Sequence, residues 1–163
     1  MFFAVLGARR LALVVAIFAI AAATIIPAAS PAPVQASGTQ ADAVIGFAKN
    51  QLGKAYQYGA IGLRRYDCSG LVYRTFEEKG LLTKIGGSRK TASGYYQWFK
   101  SRGLASKYNG RRGDLVVWGS GAHIGIYLGS GMAISALTNG VRTHSIYALT
   151  HKFTAFLHVN ISR

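Results

Sequence analysis

Residues 66–76 have the sequence YDCSGLVYRTF, in which polar residues lead into an apolar stripe. The large apolar residues of the stretch lie at helical spacing: Leu71, Val72 and Phe76. Because Asp67 is a residue type that caps helix N-termini, we predict a helix that begins at Cys68 and ends at Gly80. The amide groups and dipole of a helix N-terminus favour an anion, so we expect the pKa of Cys68 to fall from about 8.5 toward neutrality, giving a nucleophilic thiolate.

A thiol nucleophile needs a base, and the chain has four histidines. Of these, His123 begins an apolar strand after a glycine-rich turn, so its ring can project toward a helix that packs on the sheet. His151 and His158 lie near the C-terminus among apolar residues and are assigned to packing or to the surface. The sequence therefore predicts His123 as the base.

The first hairpin turn predicts what lies beside this base. A three-residue Gly-Ser-Gly loop after the strand would pair Leu128 with Met132 and Gly125 with Ser135. Ser135 would then lie on the same face as His123, diagonal to it, with Gly125 leaving the space between them free. We therefore expect the Ser135 hydroxyl to accept a hydrogen bond from the His123 ring.

The second turn brings a further histidine to this face. The dipeptide Asn139-Gly140 is typical of a two-residue hairpin turn, which would pair Ser135 with His144. His144 would be two strands away from His123 and would reach it through Ser135 or a water. A slip of one residue in either turn would remove the arrangement.

The patterns along the chain predict an α+β fold, with N-terminal helices packed on an antiparallel β-meander. We predict helices over residues 41–52, 68–80 and 92–101, and strands over residues 114–118, 123–128, 132–138, 141–146 and 153–161.

The first 36 residues have the layout of a signal peptide. Arg9-Arg10 precede sixteen residues without a charge, and Val34-Gln35-Ala36 fits a cleavage site before Ser37. We therefore expect an exported protein with one domain over residues 37–163, located outside the cell, in the cell wall or in the periplasm. An uncleaved segment that attaches the protein to the membrane is the alternative.

The composition excludes several kinds of metal and disulfide site and suggests what class of partner the protein binds. One cysteine excludes an internal disulfide framework, a CxxC zinc site and a four-cysteine iron–sulfur cluster, and HExxH is absent, so we expect no metal and no cofactor. The formal charge of +14 suits anionic polymers of the cell envelope, or serves solubility alone. No nucleic-acid-binding motif is present, and we expect no nucleic-acid partner.

Three ordered motifs resemble the NlpC/P60 cysteine peptidases: YDCSGLVYRTF at 66–76, GDLVVWGS at 113–120 and HIGIYLGSG at 123–131. The upstream GKAYQYGA at 53–60 is similar to a further family segment, with Ala55 in place of the usual proline. The resemblance implies a papain-like domain that cleaves peptidoglycan stem peptides, commonly between γ-D-glutamate and the diamino acid. It also implies site residues: the nucleophile Cys68, the base His123, and the cleft residues Tyr56, Asp67 and Ser69.

One position departs from the family pattern. The third catalytic position, usually His, Asn, Gln or an acid, is Ser135, which supplies no charge to stabilise an imidazolium. His144 would compensate if the strand register holds. Two alternatives to the peptidase therefore stay open: a non-catalytic module that binds peptidoglycan, and a papain-like amidase or acyltransferase with another substrate.

Overall fold

A computed structural model describes residues 38–163, and the predicted signal peptide lies outside the described residues. Three helices form in this part of the chain: α1 (Gln40–Lys49), α2 (Cys68–Glu78) and α3 (Ala92–Lys100). A short 3-10 helix, Leu82–Ile85, follows α2. The eight strands are β1 (Ala55–Tyr56), β2 (Arg65–Tyr66), β3 (Ala105–Ser106), β4 (Leu115–Trp118), β5 (His123–Gly129), β6 (Met132–Leu137), β7 (Gly140–Ser145) and β8 (Phe153–Leu157).

Helix α1 begins at a reciprocal cap and ends earlier than the sequence pattern predicts. The side chain of Thr39 accepts from the backbone of Asp42, whose carboxylate accepts from the backbone of Thr39. The helix ends at Lys49 rather than Leu52 because Gly53, at a φ of 81°, donates its N–H to the carbonyl of Val141 in β7. A contact with the sheet therefore stops the helix.

The sheet has six strands in the order β3-β8-β4-β5-β6-β7, and all neighbours are antiparallel. Strands β4 to β7 form the predicted meander, whereas β8 returns to pair with β4 and ends at Leu157 rather than Ile161. The strands β1 and β2 form a separate parallel pair. The α+β prediction is confirmed, and the short strands β1, β2 and β3 are additions to it.

The first hairpin differs from its predicted register at the turn. Met132 pairs with Gly129 rather than with Leu128, and a β-bulge follows Tyr127. Beyond the bulge the pairing of Ile126 with Ile134 continues the predicted alignment. Gly125 accordingly lies against Ser135, since a Cβ on Gly125 would come within 2.9 Å of the Ser135 Cβ. Because the bulge is confined to the residues next to the turn, the predicted pairing is kept where Gly125 and Ser135 meet.

The second hairpin turns one residue earlier than predicted, which shifts the pairing of its strands by two residues. Gly140 is the first residue of β7 and pairs with Leu137, so that Ser135 pairs with Arg142 rather than with His144. Gly140 is needed in the strand because a Cβ there would lie 2.9 Å from the carbonyl oxygen of Lys54. A shift of two residues leaves His144 on the same face as Ser135, now as its diagonal neighbour.

Helix α2 packs on the sheet and sets the position of the candidate site. Its buried residues Leu71, Val72 and Phe76 join one core with the side chains of β4, β5 and β6 that face them. A second cluster of buried side chains is separate from this core and is formed by Val116, Trp118, Tyr127, Ala133, Ile146 and Phe156. The first residue of α2 is thereby held close to the start of β5.

Candidate active site

Cys68 is the first residue of α2, and the loop before it is fixed by side chains of the same motif. Asp67 is the N-cap, and its carboxylate accepts hydrogen bonds from the Gly70 N–H and the Ser69 hydroxyl. Gly70 is required here because a Cβ would overlap the carbonyl oxygen of Ala60. The motif therefore brings a thiol to a helix start that is packed tightly against the preceding loop.

The thiol of Cys68 differs from the sequence-based expectation in its acidity. Burial raises the pKa of Cys68, and the adjacent Asp67 carboxylate also raises it. Backbone N–H groups, chiefly that of Ile124, lower the pKa by less than these effects raise it. The predicted fall toward neutrality is wrong because burial and a neighbouring negative charge outweigh the helix N-terminus. The Cys68 thiol is therefore neutral at physiological pH.

His123 begins β5, directly before the residue whose N–H approaches the thiol. Burial chiefly, with the neighbouring rings of His144 and His151, lowers the pKa of the His123 ring to about 4. The ring is therefore neutral at physiological pH. A neutral thiol and a neutral imidazole form no ion pair at this site.

Ser135, which is fully buried, joins the two half-buried histidines. Its Oγ lies 2.9 Å from Nε2 of His123 and 2.8 Å from Nε2 of His144. The predicted contacts of Ser135 with both rings are thus present, although His144 reaches it diagonally. Nε2 of His123 is engaged in this bond, and Nδ1 makes no hydrogen bond among residues 38–163. That nitrogen is the one free to take a proton.

The predicted cleft residues Asp67 and Ser69 are buried and bonded to each other. Both Asp67 oxygens are engaged, Oδ1 by Ser69 and Gly70 and Oδ2 by the N–H of Gly59 at 2.8 Å and by Arg89 at 2.7 Å. These bonds hold the cleft wall in place. They also leave the carboxylate with little capacity to accept further hydrogen bonds from a substrate.

A cleft of about 510 Å³ lies on the Cys68 side of the site. The three residues that the sequence assigned to it are present in its wall, and so are Tyr58, Arg89 and Lys90, which the sequence analysis missed. Arg89 and Lys90 belong to the SRKT segment that precedes the cap of α3, and this polar run before a helix was the available signal. Beside Cys68 the cleft wall therefore carries two cations, Arg89 and Lys90, against one anion, Asp67, to which Arg89 is bonded.

A second cleft of about 550 Å³ lies on the His123 side. Tyr56 and Ala122 line both clefts, so the two meet at the candidate nucleophile and base. His151, which the sequence assigned to packing or the surface, lines this second cleft, while its other polar residues are uncharged: Thr138, Asn139 and Thr150. The site is thus open on both sides, as cleavage within a chain requires.

Among the described residues no group of three or more His, Cys, Asp and Glu side chains has the arrangement of a metal site. His158 is bonded to the buried Asp114 at 3.0 Å and to Ser106 at 2.8 Å, far along the sheet from the clefts. Over residues 38–163 no helix is long and apolar enough to cross a bilayer.

Comparison with known proteins gives consistent matches. The model of the NlpC/P60 family matches residues 53–158. The probable endopeptidase p60 of Listeria grayi is 38% identical over 116 residues, which cover 69% of this chain and 21% of that protein. The probable peptidoglycan endopeptidase LytE of Bacillus subtilis is 29% identical over 104 residues, covering 63% of this chain and 29% of LytE. The peptidoglycan hydrolase RipB of Mycobacterium tuberculosis has a TM-score of 0.56 and 26% identity, covering 76% of this chain and 64% of that structure.

These matches confirm the predicted resemblance and the α+β, papain-like fold. They also show a difference in length, because the chain spans about a fifth of the p60 proteins that it matches.

Proposed function

Because this chain belongs to the NlpC/P60 family, we propose that it is an exported peptidoglycan endopeptidase, with Cys68 as nucleophile and His123 as base. The observation that carries the proposal is the orientation of the His123 ring. Its Nε2 is bonded to Ser135, which leaves Nδ1 free of hydrogen bonds among residues 38–163, and the N–H of the next residue, Ile124, reaches the Cys68 thiol at the start of α2. A thiol, a free imidazole nitrogen and a helix start are what acyl transfer through a thioester needs.

In the first step proton transfer accompanies the attack of the sulfur, because both partners are neutral at rest. As the Cys68 sulfur forms a bond to the scissile carbonyl carbon, the thiol proton moves to Nδ1 of His123. The amide N–H of Cys68, one of the free donors at the start of α2, stabilises the oxyanion. The His123 proton then passes to the leaving nitrogen as the C–N bond breaks, and water hydrolyses the thioester.

The charge of the first cleft supports a cut after γ-D-glutamate. In that linkage the glutamate joins the next residue through its side chain and keeps a free α-carboxylate. Arg89, which is bonded to Asp67, and Lys90 line the cleft beside Cys68, and a carboxylate on the acyl side of the bond would pair with Lys90 and with the remaining donors of Arg89. Tyr56 lines both clefts and would contact the substrate on each side of the scissile bond, whereas Asp67 and Ser69 support the wall.

Export and anionic partners complete the proposal. The signal-like segment 1–36 would direct residues 37–163 out of the cell, to the wall or periplasm. That part of the chain carries seventeen Lys and Arg against five Asp and Glu. The excess would draw the protein to anionic polymers of the envelope.

The test is digestion of muropeptides that contain either γ-D-glutamate or its α-amide, with products identified by mass spectrometry. We expect release of the diamino-acid fragment, with the amidated substrate cut at least about tenfold more slowly because it lacks the anion. Cleavage at another amide bond would reject the assigned specificity. Intact muropeptides after long incubation would reject the peptidase.

A non-catalytic module that binds peptidoglycan is a second candidate, favoured by two observations. Cys68 has a raised pKa, and the third position holds an uncharged serine. Such a module would bind muropeptides without cutting them. The same digestion, combined with a binding measurement, separates the two functions.

A further inference from the structure

The hydrogen bonds around Ser135 have a defined direction. Nδ1 of His144 lies 2.9 Å from the carbonyl oxygen of Ser145. A carbonyl oxygen can accept but never donate, so Nδ1 of a neutral His144 carries the proton and its Nε2 is a lone pair. The Ser135 hydroxyl therefore donates to His144, and its oxygen accepts from Nε2–H of His123.

From this order we infer that His144 is a positioning residue, which acts through Ser135 to hold His123 in the Nε2–H tautomer. The inference rests on the proposed function, because it explains how Nδ1 of His123 is kept free as the base. Without His144 the Ser135 hydroxyl can rotate and donate to Nε2 of His123 instead. That rotation would put the ring proton on Nδ1, where it blocks the uptake of the thiol proton.

A shared aromatic support gives independent evidence that the two histidines are held as a unit. The ring of Trp118 lies 5.4 Å from the ring of His123 and 5.5 Å from that of His144, measured between centroids. Trp118 is fully buried and donates its indole N–H to the carbonyl of Ile146. Both imidazoles therefore pack on one fixed indole, and the hydroxyl between them completes the bridge.

The bridge also supports the charged state of the base. When His123 takes the thiol proton on Nδ1, its Nε2–H becomes a stronger donor to Ser135. Because the Ser135 hydroxyl points toward the lone pair of His144, its oxygen is free to accept that bond. No proton leaves His123 in this step, so the Ser135 oxygen accepts the bond from the imidazolium, and His144 takes part only by holding the hydroxyl, without touching the reacting atoms.

The experiment is nitrogen-15 NMR of the histidine rings in the full chain above pH 7, with His123 assigned by the loss of its signals in His123→Gln. We expect wild-type His123 to carry its proton on Nε2 alone. His144→Phe, which removes the acceptor, should move the population toward the Nδ1–H form. His144→Gln, which keeps an acceptor near the former Nε2, should restore the wild-type spectrum.

Muropeptide cleavage by the same variants gives the functional readout. We expect kcat to fall about tenfold or more in His144→Phe and to recover in His144→Gln. A His144→Phe variant that is folded and keeps the wild-type tautomer and rate would overturn the inference. If that variant does not fold, Ser135→Ala removes the same bridge and should shift His123 toward the Nδ1–H tautomer. An unchanged His123 tautomer in Ser135→Ala would also overturn the inference.

The two readouts keep this inference distinct from the proposed function. The tautomer is measured in the free protein and needs no substrate. A tautomer that responds to His144 in a protein that cuts no muropeptide would reject the peptidase and retain the positioning of His123 by His144. A tautomer that does not respond to His144 in a protein that cuts muropeptides would retain the peptidase and reject the positioning of His123 by His144.

Discussion

At the scale of single residues, the candidate site is built from groups that are neutral at rest. Burial raises the pKa of Cys68 and lowers that of His123, so each change opposes a thiolate–imidazolium pair. The sequence identified these two residues correctly as neighbours of a helix start and a strand start. It gave the wrong acidity for the thiol because burial comes from packing that a linear motif does not display.

The first prediction concerns the reactivity of this thiol. We expect alkylation of Cys68 by iodoacetamide to be slow at pH 7 and to rise with pH beyond the ordinary thiol range, because the thiolate is the reacting form. Mass spectrometry of the chain along a pH series measures the rate, with unfolded protein as the control. A rate that is already at its maximum near pH 7 would contradict the raised pKa and indicate a preformed ion pair.

The second prediction concerns stability in acid. His123 has a pKa of about 4 in the folded protein and about 6.5 when unfolded, so the unfolded state binds its proton first as the pH falls. Stability should therefore be highest above pH 6.5 and decrease toward pH 4, with up to about 3 kcal/mol of the loss due to this ring. Denaturant unfolding of wild type and His123→Gln should show a shallower loss in the variant. Equal slopes would be inconsistent with the buried neutral ring.

At the scale of secondary structure, the positions of the elements follow from local signals, and their registers follow from tertiary contacts. The helix beginning at Cys68 and the strand beginning at His123 are both where the sequence predicts them. The turns are not, because Gly140 packs against the backbone of Lys54 and therefore belongs to a strand. That contact joins residues far apart in the sequence, so no periodicity in the sequence predicts it. Ser135 and His144 still lie on one face of the sheet because the pairing of the two strands shifted by two residues, an even number.

The third prediction tests the close approach of β5 and β6. A Cβ on Gly125 would lie 2.7 Å from the carbonyl oxygen of Ile134, which is part of the sheet backbone and cannot move aside. Gly125→Ala should therefore destabilise the fold by about 1–3 kcal/mol and displace Ser135 from His123. Gly46→Ala is the matched control, because nothing lies within 4 Å of its Cβ position in α1. That control should be neutral or stabilising by up to about 1 kcal/mol in denaturant unfolding.

Equal stability of Gly125→Ala and Gly46→Ala would show that the strands have room at the site. In that case the short bridge from His123 to Ser135 would need another explanation.

The fourth prediction tests the cap of α2. Asp67 caps the helix and also holds Arg89 and the Gly59 backbone, so Asp67→Ala should cost about 3 kcal/mol. Thr91→Ala, which removes a cap with one bond to Gly94, should cost about 1 kcal/mol. Denaturant unfolding of the two variants gives the comparison. Equal costs would mean that Asp67 acts as a simple cap and leaves the cleft wall unsupported.

At the scale of the whole molecule, the charges are distributed unevenly. Each of the five acids pairs with an arginine: Asp42 with Arg112, Asp67 with Arg89, Glu77 and Glu78 with Arg74, and Asp114 with Arg163. Most lysines and arginines of the described part are thereby left without an acidic partner. The described part of the molecule therefore presents a largely uncompensated positive surface, and the wall of the first cleft carries one more cation than anions.

The fifth prediction follows from this surface. Binding of the catalytically inactive Cys68→Ala chain to purified cell walls should weaken several-fold between about 0.05 M and 0.5 M salt, because salt screens exposed charges. Co-sedimentation measures the bound fraction, with walls stripped of their anionic polymers as the control. Binding that is independent of salt would assign wall attachment to the cleft rather than to the surface charge.

The most direct test of the account is the rate of muropeptide cleavage by wild type and by Cys68→Ala, measured side by side with circular dichroism to confirm that both are folded. The account predicts cleavage by the wild type and none above background by the variant, since removing the nucleophile leaves no atom to form the thioester. A folded Cys68→Ala chain that cuts at a similar rate would contradict the assignment of Cys68. A wild-type chain that binds muropeptides and leaves them intact would contradict the peptidase itself.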